Sequence, residues 1–119
     1  GREKAQNEFG EQDSVFAEYT SNLGFFYQKM GNYEKALPLY IQAKNIEEKV
    51  LGVEHPSFAT SLNNLATLHY AMGNYEKALS LFIQAKNIYF SLDFIRALIL
   101  FLISSILSAV ALTFAGSFS

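Results

Sequence analysis

Apolar residues return at spacings of three and four from the first dozen positions to Tyr89, the pattern of helices that each bury one face. The clearest case is Tyr33 to Val50, where Ala36, Leu37, Tyr40, Ala43 and Ile46 share a face and are expected in the core. Glu47-Glu48 and the Glu-Lys pairs read as solvated helix surface. Gly10 to Asp13 predicts a turn, with Ser14 as N-cap of a helix reaching about Lys29. Met30-Gly31-Asn32 predicts its stop: Gly31 can turn left-handed and Asn32 can cap the next helix. Glu34 then lies in a first turn, where the helix dipole favours negative charge. Pro38 breaks the local rule, because it removes one backbone bond and should kink the helix. Leu51 to His55 is a connector, and Pro56 suits the first position of a third helix running to about Ala71. Gly73-Asn74 repeats the earlier turn, and a fourth helix starts at Tyr75.

The pattern is also a literal repeat. Residues 31–47 (GNYEKALPLYIQAKNIE) recur at 73–89 (GNYEKALSLFIQAKNIY), a step of 42 residues with only three differences: Pro38/Ser80, Tyr40/Phe82 and Glu47/Tyr89. The same step lays Phe16, Ala17, Asn22, Leu23, Met30 and Gly31 on Phe58, Ala59, Asn64, Leu65, Met72 and Gly73, and Gly10 on Gly52. A fixed period of this size marks a stacked array, in which each unit buries its apolar face against its neighbours. The divisions it implies are 1–13 (the end of a preceding repeat helix and a turn), 14–55 (one repeat), 56–92 (a partial second repeat) and 93–119 (a hydrophobic tail). A start without Met, partway into a repeat, predicts a piece of a longer protein.

Charge separates the two ends. All nine Lys/Arg and all eleven Asp/Glu precede Ala97, and the last 23 residues carry none. The uncharged run 97–115 would reach ~28 Å as a helix, close to the hydrocarbon thickness of a bilayer. It reads as a membrane span, a cap helix on the array, or a stretch foreign to the repeat. A net charge of −2 with scattered basic residues leaves no footprint for nucleic acid. The absence of cysteine excludes disulfide and thiol chemistry. The two histidines, His55 and His69, stand on a connector and a helix with no metal-ligand spacing around them, and no nucleotide or hydrolase motif is present. No cofactor and no catalysis are expected.

These residues carry a family resemblance. Leu23, Gly24, Tyr27, Ala36, Tyr40 and Ala43, then Leu65, Ala66, Ala78, Phe82 and Ala85, follow the small and bulky order of a tetratricopeptide repeat. The stretches LNNLA and GNYEKAL and the long GVEHP connector resemble the 42-residue, kinesin-light-chain-like form of that repeat. Two positions depart from it: Thr20 stands where Leu62 does, and His69 where Tyr27 does, each expected to loosen packing locally. The resemblance covers roughly 14–89. It implies an all-α helix-turn-helix solenoid, here with a C-terminal hydrophobic helix.

It also implies a function. In such arrays the first helix of each pair lines a concave groove that holds a peptide. Carried over position by position, the groove residues are Ser21, Asn22, Phe25 and Lys29 in one repeat and Asn63, Asn64, Thr67 and Tyr70 in the next, with Glu18, Gln28, Thr60 and Ala71 beside them. An asparagine amide offers both donors and an acceptor, so Asn22 and Asn64 could pair with any peptide backbone, or else bond their own neighbours. The expected role is a protein- or peptide-binding adaptor or scaffold in the cytoplasm. The alternatives are the sensor region of a longer enzyme, protease-like or nucleotide-binding, and a tail-anchored membrane assembly factor.

Overall fold

The computed structural model describes residues 2–117, with side chains from residue 13 onward. Four helices follow one another: α1 (Arg2–Lys29), α2 (Tyr33–Leu51), α3 (Pro56–Ala71) and α4 (Tyr75–Ser117). The turns between them are built by local bonds that the sequence encodes. At the end of α1, Gly31 has φ of 75°, a left-handed value that suits a residue without Cβ. There the N–H of Asn32 reaches back to the Tyr27 carbonyl at 2.9 Å, satisfying a helix-end acceptor. The Asn32 side chain then accepts from the Lys35 N–H at 3.3 Å, capping α2 as expected. One repeat later Gly73 has φ of 85°, and Asn74 N–H bonds the His69 carbonyl at 2.8 Å. The turn is thus duplicated down to its backbone hydrogen bonds.

Between α2 and α3 the chain turns at Gly52, φ 91°, whose N–H closes onto the carbonyls of Glu47 and Glu48. Pro56 opens α3, and the His55 ring Nδ1 accepts from Ser57 N–H at 3.0 Å. His55 is therefore a helix cap rather than a bare loop residue. Helix α2 runs on through Pro38 to Leu51.

The turn expected at Gly10–Asp13, with Ser14 as cap, does not form: α1 is continuous from Arg2. The 42-residue step places Ser14 on Pro56. Without a proline to stop the helix, a single glycine costs only ~1 kcal/mol against Ala and is absorbed. Likewise, no break separates the repeat from the apolar run, since α4 is one helix of 43 residues.

The chain forms two compact units, one ending at Ile88 and one starting at Tyr89. In the first, the core is a zipper of small and large residues. Ala17, Ala36, Ala43, Ala59, Ala66 and Ala85 are buried, letting backbones approach, while Tyr40, Phe58, Leu62, Leu65 and Leu68 fill the remaining space. Ala36, Tyr40, Leu65 and Leu68 make one cluster, with Tyr27, Tyr33, Leu37, Met72 and Leu81 packed against it. Leu37 and Ile46, expected in the core, are half-buried instead. Gly24 sits against Tyr40: a Cβ there would lie 3.0 Å from the ring. The Tyr40 hydroxyl completes the fit by donating to Gln28 Oε1 at 2.8 Å, and burial raises its pKa. The two departures from the family pattern are accommodated. Thr20 is buried with its hydroxyl donating to the Phe16 carbonyl at 2.7 Å, and the buried His69 ring has Nδ1 3.3 Å from the Asn74 amide.

The second unit is the remainder of α4. Its apolar window has a mean hydropathy of 2.5, is long enough to cross a membrane, and is not buried anywhere.

Candidate functional site

A cleft of about 280 Å³ opens where α1, α2 and α3 meet. Helix α1 lines it with Ser14, Glu18, Ser21 and Asn22, and α3 with Ser57, Thr60, Ser61 and Asn64. Helix α2 contributes one residue, Glu47. All nine lining side chains are polar, which is unusual for a ligand pocket and matches a surface that reads backbone amides or charged groups. The helical periods explain the convergence: Ser14, Glu18, Ser21 and Asn22 share one face of α1, as Ser57, Thr60, Ser61 and Asn64 share one face of α3.

Three of the expected groove residues meet here: Ser21, Asn22 and Asn64, with Glu18 and Thr60 from the wider set. Asn64 is already engaged, donating its amide to Ser21 Oγ at 3.1 Å and so tying one repeat to the next. Asn22 is exposed in the cleft. The other five lie outside it. Phe25 and Lys29 pair with each other, the ammonium 5.0 Å from the ring centroid. Thr67 donates its hydroxyl to the Asn63 carbonyl at 2.9 Å. Tyr70 packs edge-on against Tyr75, centroids 5.3 Å apart.

Glu47 was not anticipated. Expected on the solvated surface, it is only 8 % exposed, and Ser61 donates a short hydrogen bond to its Oε2. Its spacing was the missed signal, for Ala36, Tyr40, Ala43 and Glu47 are the four buried positions of α2. Burial pushes its pKa up, and the Glu18 carboxylate adds to this; the Ser61 bond and the charge of His55 pull the other way. Among the described residues, no group of three His, Cys, Asp or Glu is placed to hold a metal. The arrangement can hold and orient a ligand through hydrogen bonds and charge.

Comparison with curated proteins yields no match. The family model described as tetratricopeptide repeat matches residues 16–89. That span takes in the duplicated turns, the small-residue zipper and all of the cleft except Ser14, and the chain belongs to the tetratricopeptide repeat family.

Proposed function

We propose that the chain is an adaptor or scaffold module that binds an extended peptide in the polar cleft between α1 and α3. Tetratricopeptide repeats are in general protein–protein interaction modules. One observation carries the finer reading: Ser21, Asn22 and Asn64, chosen as groove positions, converge on one cleft with a carboxylate at its base. Asn22 is the free hand in it, and Asn64 holds the wall. For a peptide selected against the intact chain, Asn22→Ala should weaken binding by ~1–3 kcal/mol, the cost of leaving a buried peptide group unpaired. Its melting temperature should stay unchanged. Unchanged affinity in a folded Asn22→Ala variant removes the cleft from the binding surface.

A second proposal rests on the apolar half of α4, none of which is buried. This segment anchors the module in a membrane. Arg96 stands at its N-terminal edge and Lys86 ten residues before, while 97–119 has no positive charge, so the positive-inside rule keeps the repeats on the cytoplasmic side. Carbonate extraction with a C-terminal reporter tests it. Material in the pellet with protease-sensitive repeats supports the anchor, and monodisperse protein without detergent sinks it.

A further inference from the structure

The cleft between α1, α2 and α3 is rich in acceptors. Among the described residues that line it only Glu18 and Glu47 are charged, and both are carboxylates. The one ion pair among the described residues joins Arg96 to Asp93, so neither carboxylate has a salt-bridge partner there. Glu47 is nine-tenths buried, with Ser61 donating to its Oε2. No sealed side-chain oxygen among the described residues lacks a partner, so the second oxygen, Oε1, which takes no bond there, opens on the cleft. The neighbouring hydroxyls point their hydrogens inward: Ser61 to Glu47, and Thr60 to the Pro56 carbonyl at 3.1 Å. Asn64 commits one amide hydrogen to Ser21 and keeps its amide oxygen. Two carboxylates in one cleft repel, and burial adds to the cost. Burial does most to raise the pKa of Glu47 and the Glu18 charge adds to it, while the Ser61 bond and the attraction of His55 fail to offset them. The repeat does not demand this charge. One step on, Tyr89 stands in place of Glu47 and Thr60 in place of Glu18.

We infer that the cleft receives the guanidinium of an arginine in the bound peptide, held by the Glu18 carboxylate and Glu47 Oε1, so that the partner segment is basic. The inference rests on the peptide-binding reading above and names the side chain that the reading leaves open. A guanidinium has five donors and no acceptor, which matches a pair of carboxylates, and it keeps its charge when desolvated, where a lysine gives up its proton more readily. The fit in size agrees: about 280 Å³ admits one side chain and falls below the ~300–1,000 Å³ usual for a whole small-molecule ligand. The asparagine amides beside the carboxylates then serve the peptide backbone, and the carboxylates select the residue.

Random peptides displayed on phage are selected against the full chain in non-ionic detergent. The tightest binder is then synthesised in two forms, with arginine and with citrulline, its neutral isostere. Circular dichroism confirms that each protein variant keeps its helix content. The selected peptides should share one arginine, and its citrulline form should bind the native chain about tenfold more weakly or worse. Against the double variant Glu18→Gln/Glu47→Gln the two forms should differ by less than about twofold, and Asn22→Ala should weaken both alike. Glu18 is exposed, so Glu18→Gln alone supplies the comparison if the double variant loses helix, with the gap between the forms narrowed. Peptides that respond to Asn22→Ala but share no arginine overturn the inference and leave the peptide-binding cleft standing. So does an arginine whose advantage over citrulline survives in the glutamine variants. Peptides indifferent to Asn22→Ala and to both glutamates, or a selection that yields none, remove the cleft reading and this inference with it.

Discussion

Helix α2 and the opening of α4 are nearly the same peptide in two settings. Both begin after Gly-Asn with Tyr-Glu-Lys-Ala-Leu, both follow a turn with the same backbone bonds, and both bury their alanines, Ala36 and Ala43 in one, Ala78 and Ala85 in the other. They part in two respects. Tyr40 is enclosed while Phe82 is over a third exposed, and α2 stops at Leu51 while α4 continues to Ser117. The first difference is made by α3, which covers α2 with Leu65 and Leu68. The second comes from Gly52 and Pro56, for which the run after Tyr89 has no equivalent. A helix of fixed sequence thus takes its length from the residues after it and its stability from the helix laid on it.

Truncation gives the largest test of this contrast. Tyr40→Ala removes an enclosed ring and its bond to Gln28 and should cost ~3–5 kcal/mol, the range for buried aromatics, whereas Phe82→Ala should cost ~1 kcal/mol. Chemical denaturation of both variants measures it. Equal losses would mean that the α4 face is covered in solution.

A smaller effect is expected at Gly24, whose counterpart in α3 is Ala66. A methyl 3.0 Å from a ring held by its own hydroxyl must push it aside, so Gly24→Ala should destabilise by ~0.5–2 kcal/mol despite the better helix propensity of alanine. In a Tyr40→Ala background the sign should reverse, to a gain of up to ~1 kcal/mol. A double-mutant cycle with no coupling would break the assigned contact.

The smallest expected effect depends on pH. Folding raises the pKa of Glu47 above its ordinary value, so the native state holds that proton more tightly than the unfolded chain. The resulting stabilisation is fully present below the unfolded value of about 4.3 and lost as pH rises through the folded one. Glu47→Gln keeps an acceptor for Ser61 without the charge. It should melt a few degrees higher than the native chain at pH 7, the gap closing below about pH 4. A lower melting point at pH 7 would show that the Ser61 bond and the attraction of His55 outweigh burial.

What could be recognised from the sequence is what local chemistry decides. Gly31, Gly52 and Gly73 reach positive φ, Asn32 caps α2, and Pro56 starts α3, because these depend on residues a few positions apart. The repeat and its family were legible for the same reason: the small residues that let helices approach recur at a fixed step. Three of the nine residues that line the candidate cleft, Ser21, Asn22 and Asn64, stand at positions that the family resemblance names. What escaped depends on partners distant in the chain. Glu47 carries a charge that argues for solvent, but α3 closes over it and Ser61 supplies the bond that makes burial tolerable. Gly10 has the residue of a turn without the proline or the neighbour that would enforce one, and α1 runs through it. Backbone φ preferences and caps act within a few residues, whereas enclosure needs a second helix. Only the tertiary structure decided which of two almost identical helices has one.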